Sequence, residues 1–322
     1  MRIFRALGLT TAAMVLLAAA GCGGDDLEDS DSGSDSGDSS SSSEDKGSVV
    51  VGGQDFTEMQ VMAAIYQKLL EGEGYSVETK LVTTRDVYLP ELSNGNVDIV
   101  PDYLAGITDF LNTEANGPDA EPVSSNDPDA TLAALEPLAE AKGVSILAPS
   151  DATDQNAFFV TEDAAEENDL TTLSDFAALG EPIKLGAPED CAGRADCEGG
   201  LTDVYGFDIS EIVPLDFGSS QVKDAVANGE VQLGETGTTD ASLEALGLVL
   251  LEDDKGIQPA QNLTPAVNSD FLADNPDLEE LFNELSEALT TEDLAEMNSQ
   301  VDLERKKPED VAQAFLEDKG LL

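Results

Sequence analysis

Strand-like and helix-like segments alternate along residues 49–322, and this alternation constrains the fold more than any other feature of the sequence. Apolar runs typical of buried strands recur between segments whose apolar residues have helical spacing. The pattern predicts strands at 49–51, 77–82, 97–100, 144–147, 157–161, 183–186, 212–217, 231–233 and 248–251, and helices at 57–69, 86–93, 130–141, 173–179, 200–205, 220–227, 240–246, 278–289, 291–301 and 308–318. Such alternation predicts an α/β fold with mostly parallel sheets.

The junction between the first strand and the first helix is a candidate binding element, because ligands of such sheets lie at strand carboxyl ends and helix N-termini. Gly52 and Gly53 allow close approach to the backbone. Thr57 and Gln60 have the spacing of a capping box. On pattern alone, a carboxylate-binding junction and a plain structural turn fit these residues equally well.

Residues 1–21 have the pattern of a secretory signal: a basic start, then an uncharged apolar run too short and too alanine-rich for a good membrane span. Small residues precede Cys22, and this arrangement resembles the lipobox of bacterial lipoproteins, in which the new N-terminal cysteine carries a lipid. The resemblance implies a protein anchored by lipid at the extracytoplasmic face of the cell membrane. An ordinary signal peptide with an incidental cysteine is the alternative.

The segment after Cys22 is predicted to be a disordered tether that ends at residue 48. Residues 23–48 contain ten serines and nine acidic residues, and this composition cannot form a core. Glycine and serine make such a segment flexible, and like charges extend it. The tether is therefore expected to hold the folded part away from the membrane.

The formal net charge of −52 excludes whole classes of partner. A chain this acidic is not expected to bind nucleic acid or an anionic membrane surface. Cationic ligands are mildly favoured near such a surface. Solubility in a salty habitat, where the repulsion is screened, also explains the charge.

The cysteine and histidine content limits which metal and catalytic sites the chain can form. Cys191 and Cys197 are close in an exported chain, which predicts a local disulfide. The sequence has no histidine, so two cysteines leave a zinc site short of ligands, and serine or cysteine nucleophiles lack their usual base. No metal, no cofactor and no catalytic residue is predicted. An exported carboxylate-based hydrolase stays the less favoured alternative.

Several motifs follow one another along residues 49–322. Residues 51–58 (VGGQDFTE) are similar to the pattern I-G-x-K/Q-x-F-T-E, and residues 95–103 (GNVDIVPDY) to G-x-x-D-I-x-P-E-Y. Residues 154–161 (DQNAFFVT) come next, and the ending at 289–322 contains N-x-x-V-D and P-E-x-V-A-x-x-F-L pieces. In this order the segments resemble the binding proteins for glycine betaine, carnitine and choline that serve ABC importers, and the resemblance covers nearly all of 49–322.

The resemblance implies a two-lobe periplasmic-binding-protein-like fold of type II, in which each lobe is a mixed or parallel sheet flanked by helices and two strands form the hinge. Lobe 1 would hold residues 49–153 and 241–322, and lobe 2 residues 154–240. The implied protein is a monomeric receptor rather than an enzyme. Its lobes close over a small solute, and an ABC permease in the membrane recognises the closed state.

The resemblance also implies ligand-binding residues. Gln54 matches the Lys or Gln that binds a ligand carboxylate, and Thr57 caps the adjoining helix. Arg194 matches the arginine of lobe 2 that pairs with the same carboxylate, a surface ion pair being the alternative. Tyr103 matches one position of the aromatic cage, whose ring faces attract a quaternary ammonium.

Other cage positions depart from the family pattern. Asn156, Gln221 and Gly237 stand at or near positions where the family has tyrosine. The polar replacements fit a ligand with hydrogen-bonding groups. Glycine betaine or a choline-type solute is therefore the first prediction, and a different polar zwitterion, such as an amino acid or an ectoine-like solute, is the alternative. A surface protein that binds no ligand is a further alternative.

The remaining candidates are less specific. Phe56 is a possible ring at the first junction, and Asp240 belongs to the T-D piece of lobe 2. Phe158 and Phe159 are also possible rings, although strand aromatics more often belong to the core.

Overall fold

The structure is a computed structural model that describes residues 46–322. The predicted signal, Cys22 and almost all of the predicted tether lie outside these residues. None of the described helices combines the length and the apolar character that crossing a membrane requires.

Two sheets organise the described chain, and the polypeptide passes from the first to the second and back. The outward part comprises β1 (Ser48–Gln54), α1 (Thr57–Gly72), β2 (Ser76–Val82), α2 (Arg85–Ser93), β3 (Ile99–Tyr103), α3 (Leu104–Asn116), α4 (Pro128–Glu140) and β4 (Val144–Ile146). The second sheet and its helices comprise β5 (Asn156–Thr161), α5 (Glu162–Asn168), α6 (Leu173–Ala177), β6 (Ile183–Ala187), α7 (Glu198–Gly200), β7 (Ile209–Pro214), α8 (Ser220–Ala227), β8 (Leu233–Gly237) and β9 (Leu248–Leu251). The return comprises β10 (Leu263–Asn268), α9 (Ser269–Asp274), α10 (Asp277–Ala288), α11 (Thr291–Asp302) and α12 (Pro308–Lys319).

Both sheets are mixed and share one topology. The first has the order β2-β1-β3-β10-β4, with β10 antiparallel to its neighbours, and the second has the order β7-β6-β8-β5-β9, with β5 antiparallel. We call the part built on the first sheet lobe 1 and the part built on the second sheet lobe 2. In each lobe one strand that arrives from the other lobe is inserted antiparallel to its neighbours.

Helices cover both faces of the first sheet, and this explains its apolar strands. On one face, α1 packs against α11 and α12, and the Tyr66 ring meets the edge of Phe282 at 4.7 Å between centroids. On the other face, α2, α3 and α4 bury Tyr88, Leu104 and Leu135. A strand that is covered on both sides needs no polar alternation, which accounts for the unbroken apolar run at residues 49–51.

Two extended segments cross between the lobes side by side. Thr153 in the first crossing segment pairs antiparallel with Asn262 in the second. The Asp154 amide donates to the Gln261 carbonyl at 3.2 Å, and the Leu263 amide donates to the Ala152 carbonyl at 2.9 Å. Few backbone bonds need to change when such a paired connection bends, which suits a hinge.

The predicted lobe boundary at residues 240 and 241 is corrected by the strand pairing. β9 pairs with β5 in the second sheet, with Phe158 opposite Leu251. Residues 241–251 therefore belong to lobe 2, and the return crossing begins only after β9. Phe158 and Phe159 are 1 % and 0 % exposed, so both rings belong to the core of lobe 2 rather than to a binding site.

Some local predictions are wrong, and tertiary contacts explain why. The strand predicted at 231–233 runs instead from Leu233 to Gly237, because Gly234 lies directly under the Phe159 ring, where a Cβ would be 2.5 Å from Cζ. The helix predicted at 240–246 is only a short 3-10 turn at Glu244–Leu246. β10, α3, α5 and α9 have no counterpart among the predicted elements.

Candidate functional site

A cleft of about 660 Å³ receives side chains from both lobes and from the first crossing segment. Its volume is within the range of about 300–1,000 Å³ that is usual for small-molecule sites. A ligand in contact with both lobes favours their closure, which a depression inside one lobe cannot do. The residues that matter for its chemistry are Phe56, Glu58 and Asn298 from lobe 1, Asp154 from the crossing segment, and Phe217 and Lys223 from lobe 2.

The β1–α1 junction supplies the lobe 1 wall, but not through the predicted cap. Phe56 occupies the N-cap position of α1 without a side-chain hydrogen bond, so the predicted capping box is wrong. The Thr57 hydroxyl donates instead to Asp302 Oδ1 at 2.8 Å, at the end of α11. The Phe56 ring is 38 % exposed in the cleft and stacks on Tyr103, with centroids 6.5 Å apart and ring planes 15° apart.

Tyr103 lies behind Phe56 and is tied to a buried carboxylate. Its hydroxyl donates to Glu58 Oε1 at 2.5 Å, and Asn298 Nδ2 donates to Glu58 Oε2 at 2.7 Å. Burial raises the pKa of Glu58, and these hydrogen bonds only partly oppose that effect. Burial, together with the nearby Glu58, raises the pKa of Tyr103 well above its ordinary value, so the phenol keeps its proton.

A second carboxylate approaches from the crossing segment. Asp154 Oδ1 accepts from the Thr239 hydroxyl at 3.1 Å. Burial, and then the charge of Glu58, raise the pKa of Asp154 to about 7. Gly237 leaves room for this carboxylate: a Cβ there would lie 3.0 Å from Asp154 Oδ1 and 3.8 Å from the Phe217 ring. Where the resemblance implies a tyrosine, this chain therefore places a carboxylate and a phenylalanine ring.

Asp240, a predicted ligand-binding residue, lines the cleft but has its own partners. Lys223 Nζ lies 2.6 Å from Asp240 Oδ2, and both side chains are almost buried, at 10 % and 13 % exposure. The hydroxyls of Thr236 and Ser242 also donate to this carboxylate. Burial raises the pKa of Asp240, but the hydrogen bonds from Lys223, Thr236 and Ser242 outweigh it and hold the pKa below its usual value.

Arg194 and Asn156 lie together, but not among the residues that line this cleft. Arg194 Nε and Nη2 donate to the two oxygens of Asp196 at 2.9 and 2.6 Å, and Asn156 Nδ2 donates to the same carboxylate at 3.1 Å. Asn156 lines a separate depression with Gln155 and Gln258. The surface ion pair, which was the alternative for Arg194, is the arrangement in this structure.

The two glutamines that were predicted to bind ligand lie on different elements, β1 and α8. Gln54 is the last residue of β1, opposite Val82, and is half-buried. Gln221 is exposed on α8 and lines a depression with Lys184 and Asp224, so its predicted role in the cleft is wrong. On the same helix it is Lys223 that turns into the cleft.

Cys191 and Cys197 are joined by a disulfide, with Sγ atoms 2.05 Å apart. The carboxylate of Glu235 lies within 4.8 Å of both sulfurs, a grouping suited to a metal ion only if the sulfurs were thiolates. In the disulfide they are bonded to each other. Glu235 is 1 % exposed, its Oε2 has no hydrogen-bond partner among the described residues, and burial raises its pKa to about 7.

Sequence reasoning missed most of the residues that give the cleft its charge. Glu58 and Asp154 belong to motifs that carry the resemblance, but single acids carry little weight in a chain with 67 of them. Asn298 and Asp302 are the first and last residues of the N-x-x-V-D motif, for which the sequence predicts no role. Phe217 is in no motif; only its loop between β7 and α8 places it here.

Comparisons with known proteins identify substrate-binding proteins of one kind. The family model described as the substrate-binding domain of ABC-type glycine betaine transport systems matches residues 47–318. A glycine-betaine-binding protein of Pseudomonas aeruginosa is 28 % identical over 283 residues, which cover 84 % of this chain and 88 % of that protein. The carnitine transport binding protein OpuCC of Listeria monocytogenes is 26 % identical over 276 residues, which cover 84 % and 87 %.

Solved structures confirm the predicted fold class. Apo YehZ from Escherichia coli is similar with a TM-score of 0.73 at 26 % identity, over 85 % of this chain and 99 % of that chain. The structure of a glycine betaine/carnitine/choline ABC transporter protein is similar with a TM-score of 0.74 at 22 % identity, over 85 % and 98 %. The second likeness concerns the fold alone.

Proposed function

The chain belongs to the family of substrate-binding domains of ABC-type glycine betaine transport systems, and from this premise we propose that it is an extracytoplasmic receptor for a quaternary-ammonium solute. The solute binds in the cleft between the lobes, the lobes close, and an ABC permease accepts the solute from the closed form. The protein changes no covalent bond of its ligand and acts as a monomer. A lipid on Cys22 and the acidic tether after it hold the receptor at the membrane.

The observation that carries this proposal is the pairing of aromatic rings with carboxylates across the cleft. Phe56, backed by Tyr103, presents a ring from lobe 1, and Phe217 presents one from lobe 2 with 47 % exposure. Ring faces attract a cation that has no N–H group to donate. Glu58 and Asp154 lie behind the rings, and a bound cation favours their ionised, negatively charged forms against the effect of burial on their pKa. The cleft therefore suits an ammonium carrying methyl groups, which is apolar at its surface and positive at its centre.

Replacement of Phe56 by alanine is expected to weaken solute binding by about 10- to 30-fold, because a cation–π contact in a closed site contributes up to about 2 kcal/mol. Phe217→Ala should act in the same direction from the other lobe. Leu246→Ala is the control, since Leu246 is 51 % exposed on lobe 2 and is not part of the cleft. Isothermal titration of dialysed protein with glycine betaine and choline measures the effect.

Three results would contradict the proposal or part of it. If the unaltered protein binds neither solute but binds an amino acid or ectoine, the receptor has a different cargo. If either solute is chemically changed during incubation, as followed by proton NMR, the protein is an enzyme. If Phe56→Ala and the unaltered protein bind the solute with equal affinity, the Phe56 ring does not contribute to binding.

A further inference from the structure

Resting on the proposed function, we infer that the cleft selects an ammonium alcohol without a carboxylate, such as choline, over zwitterionic betaines. Glu58 and Asp154 would determine this specificity. Three features of the cleft support this inference: the charge that it presents, the engagement of its basic groups, and a buried acceptor on a residue that lines it.

The charged groups of the cleft strongly favour a cation. Four acidic residues line it, namely Glu58, Asp154, Asp240 and Asp302, against a single lysine. Lys223, that lysine, is bound to Asp240 at 2.6 Å, so the pair is close to neutral. A ligand carboxylate would thus enter beside Glu58 and Asp154 with no free positive group among the lining residues. Repulsion between like charges at such sites disfavours a zwitterion relative to a plain cation.

The basic residue predicted to bind a ligand carboxylate is also engaged. Arg194 makes a two-point contact with Asp196, and Asn156 donates to the same carboxylate. Bidentate guanidinium–carboxylate pairs are among the stronger polar contacts in proteins. Turning Arg194 towards a ligand carboxylate would leave Asp196 without its cation, which cancels most of the gain.

A buried oxygen of Asn298 that accepts no hydrogen bond from the described residues indicates that the ligand carries a hydrogen-bond donor. Asn298 lines the cleft and is 8 % exposed; its Nδ2 donates to Glu58, while its Oδ1 accepts no hydrogen bond from the described residues. A buried acceptor without a donor costs free energy, which a ligand hydroxyl or N–H group recovers. A quaternary ammonium has no N–H, so the donor is a hydroxyl elsewhere on the ligand.

Four quaternary ammonium ions separate the two requirements: choline has a hydroxyl and no carboxylate, carnitine has both, glycine betaine has only the carboxylate, and tetramethylammonium has neither. Titration calorimetry of the unaltered protein with each is expected to place choline first, at least about tenfold tighter than carnitine or glycine betaine. Tetramethylammonium should bind more weakly than choline. The series needs no variant, so it does not depend on the folding of an altered chain.

Asp154→Asn tests the charge directly. We expect choline affinity to fall by about tenfold or more and the ratio of choline to glycine betaine affinity to shrink. Asp151→Asn is the matched control, because Asp151 is an exposed acid three residues away and is not among the cleft residues. The control should leave both affinities and their ratio unchanged.

The outcomes are distinct. If glycine betaine or carnitine binds as tightly as choline, the inferred specificity is wrong while the receptor function stands. If tetramethylammonium binds as tightly as choline, the inferred requirement for a ligand hydroxyl is wrong. If none of the four ligands binds, the proposed function fails, and this inference fails with it.

Discussion

Replacement of Lys223 by alanine should destabilise the protein by about 3–5 kcal/mol, because it leaves the Asp240 carboxylate almost buried without its cation. Both side chains of the pair are nearly inaccessible, and Nζ and Oδ2 are 2.6 Å apart. The hydroxyls of Thr236 and Ser242 remain as donors but carry no charge. Urea unfolding of the unaltered protein and of Lys223→Ala, followed by circular dichroism, measures the difference.

A matched control lies in the same lobe. Lys184 pairs with Glu211 at the same distance of 2.6 Å, but these side chains are 48 % and 53 % exposed. Lys184→Ala should therefore cost no more than about 1 kcal/mol. A double variant, Lys223→Met with Asp240→Asn, removes both charges and should recover much of the lost stability. Equal losses for Lys223→Ala and Lys184→Ala would show that burial of the pair is unimportant.

The free energy of unfolding is expected to be higher at pH 5 than at pH 7.5, by roughly 5 kcal/mol. Asp154 and Glu235 have pKa values of about 7 in the folded chain, raised by burial from ordinary values of 3.8 and 4.5. Above pH 7 both are ionised in folded and unfolded chains, so the folded state bears the full cost of burying the charges. As the pH falls from about 7 towards 4, the folded chain takes up protons first and gains stability.

Carboxyl groups with lowered pKa act in the opposite direction but at lower pH. The pKa of Asp240 and that of Asp293 lie below 3.8, since burial is outweighed by hydrogen bonds from Lys223 and Lys319 respectively and from nearby hydroxyls. Their stabilising contribution is complete above the ordinary value and is lost only as the pH falls through the lowered one. Between pH 7.5 and pH 5 the groups with raised pKa therefore decide whether the free energy of unfolding rises or falls.

Glu235→Gln isolates one of these groups, because it keeps the shape and removes the titration. The variant should be more stable than the unaltered protein at pH 7.5, and its stability should rise less on acidification. Glu211→Gln is the control for general charge repulsion, since Glu211 is an exposed acid of the same sheet. If both variants keep the full pH dependence, the buried carboxyl of Glu235 is not its source. Thermal unfolding in a series of buffers at constant ionic strength makes the comparison.

Apolar periodicity was enough to predict most of the elements, because a strand covered by helices on both faces must be apolar throughout. The run at 49–51 became β1, and the spacing at 278–289 became α10, Asp277–Ala288. It failed at β8, whose sequence LGETG has little apolar character. There the strand is held by its neighbours β5 and β6 and by the close approach of Gly234 to Phe159.

The order of motifs determined more of the function than any single residue did. It predicted the two-lobe fold and the receptor family, both of which the comparisons confirm. For single residues it places Phe56 at the cleft, where the β1–α1 junction directs the ring, while the ligand-binding role of Phe56 stays a prediction. It failed at Gln221, because a shift of two residues along α8 separates the outer surface from the cleft side occupied by Lys223.

The sequence by itself determined the alternation of strands and helices, the acidity, and the family, since these depend on local patterns and on their order along the chain. Only the tertiary structure decided which charges meet. Glu58 and Asn298 are 240 residues apart in the sequence and 2.7 Å apart in the fold. Arg194 is bound to Asp196, and Lys223 to Asp240, so neither is free for a ligand. Pairing among 67 acids and 15 basic residues has no local signal, because it follows from the packing of one lobe and the crossing of two segments.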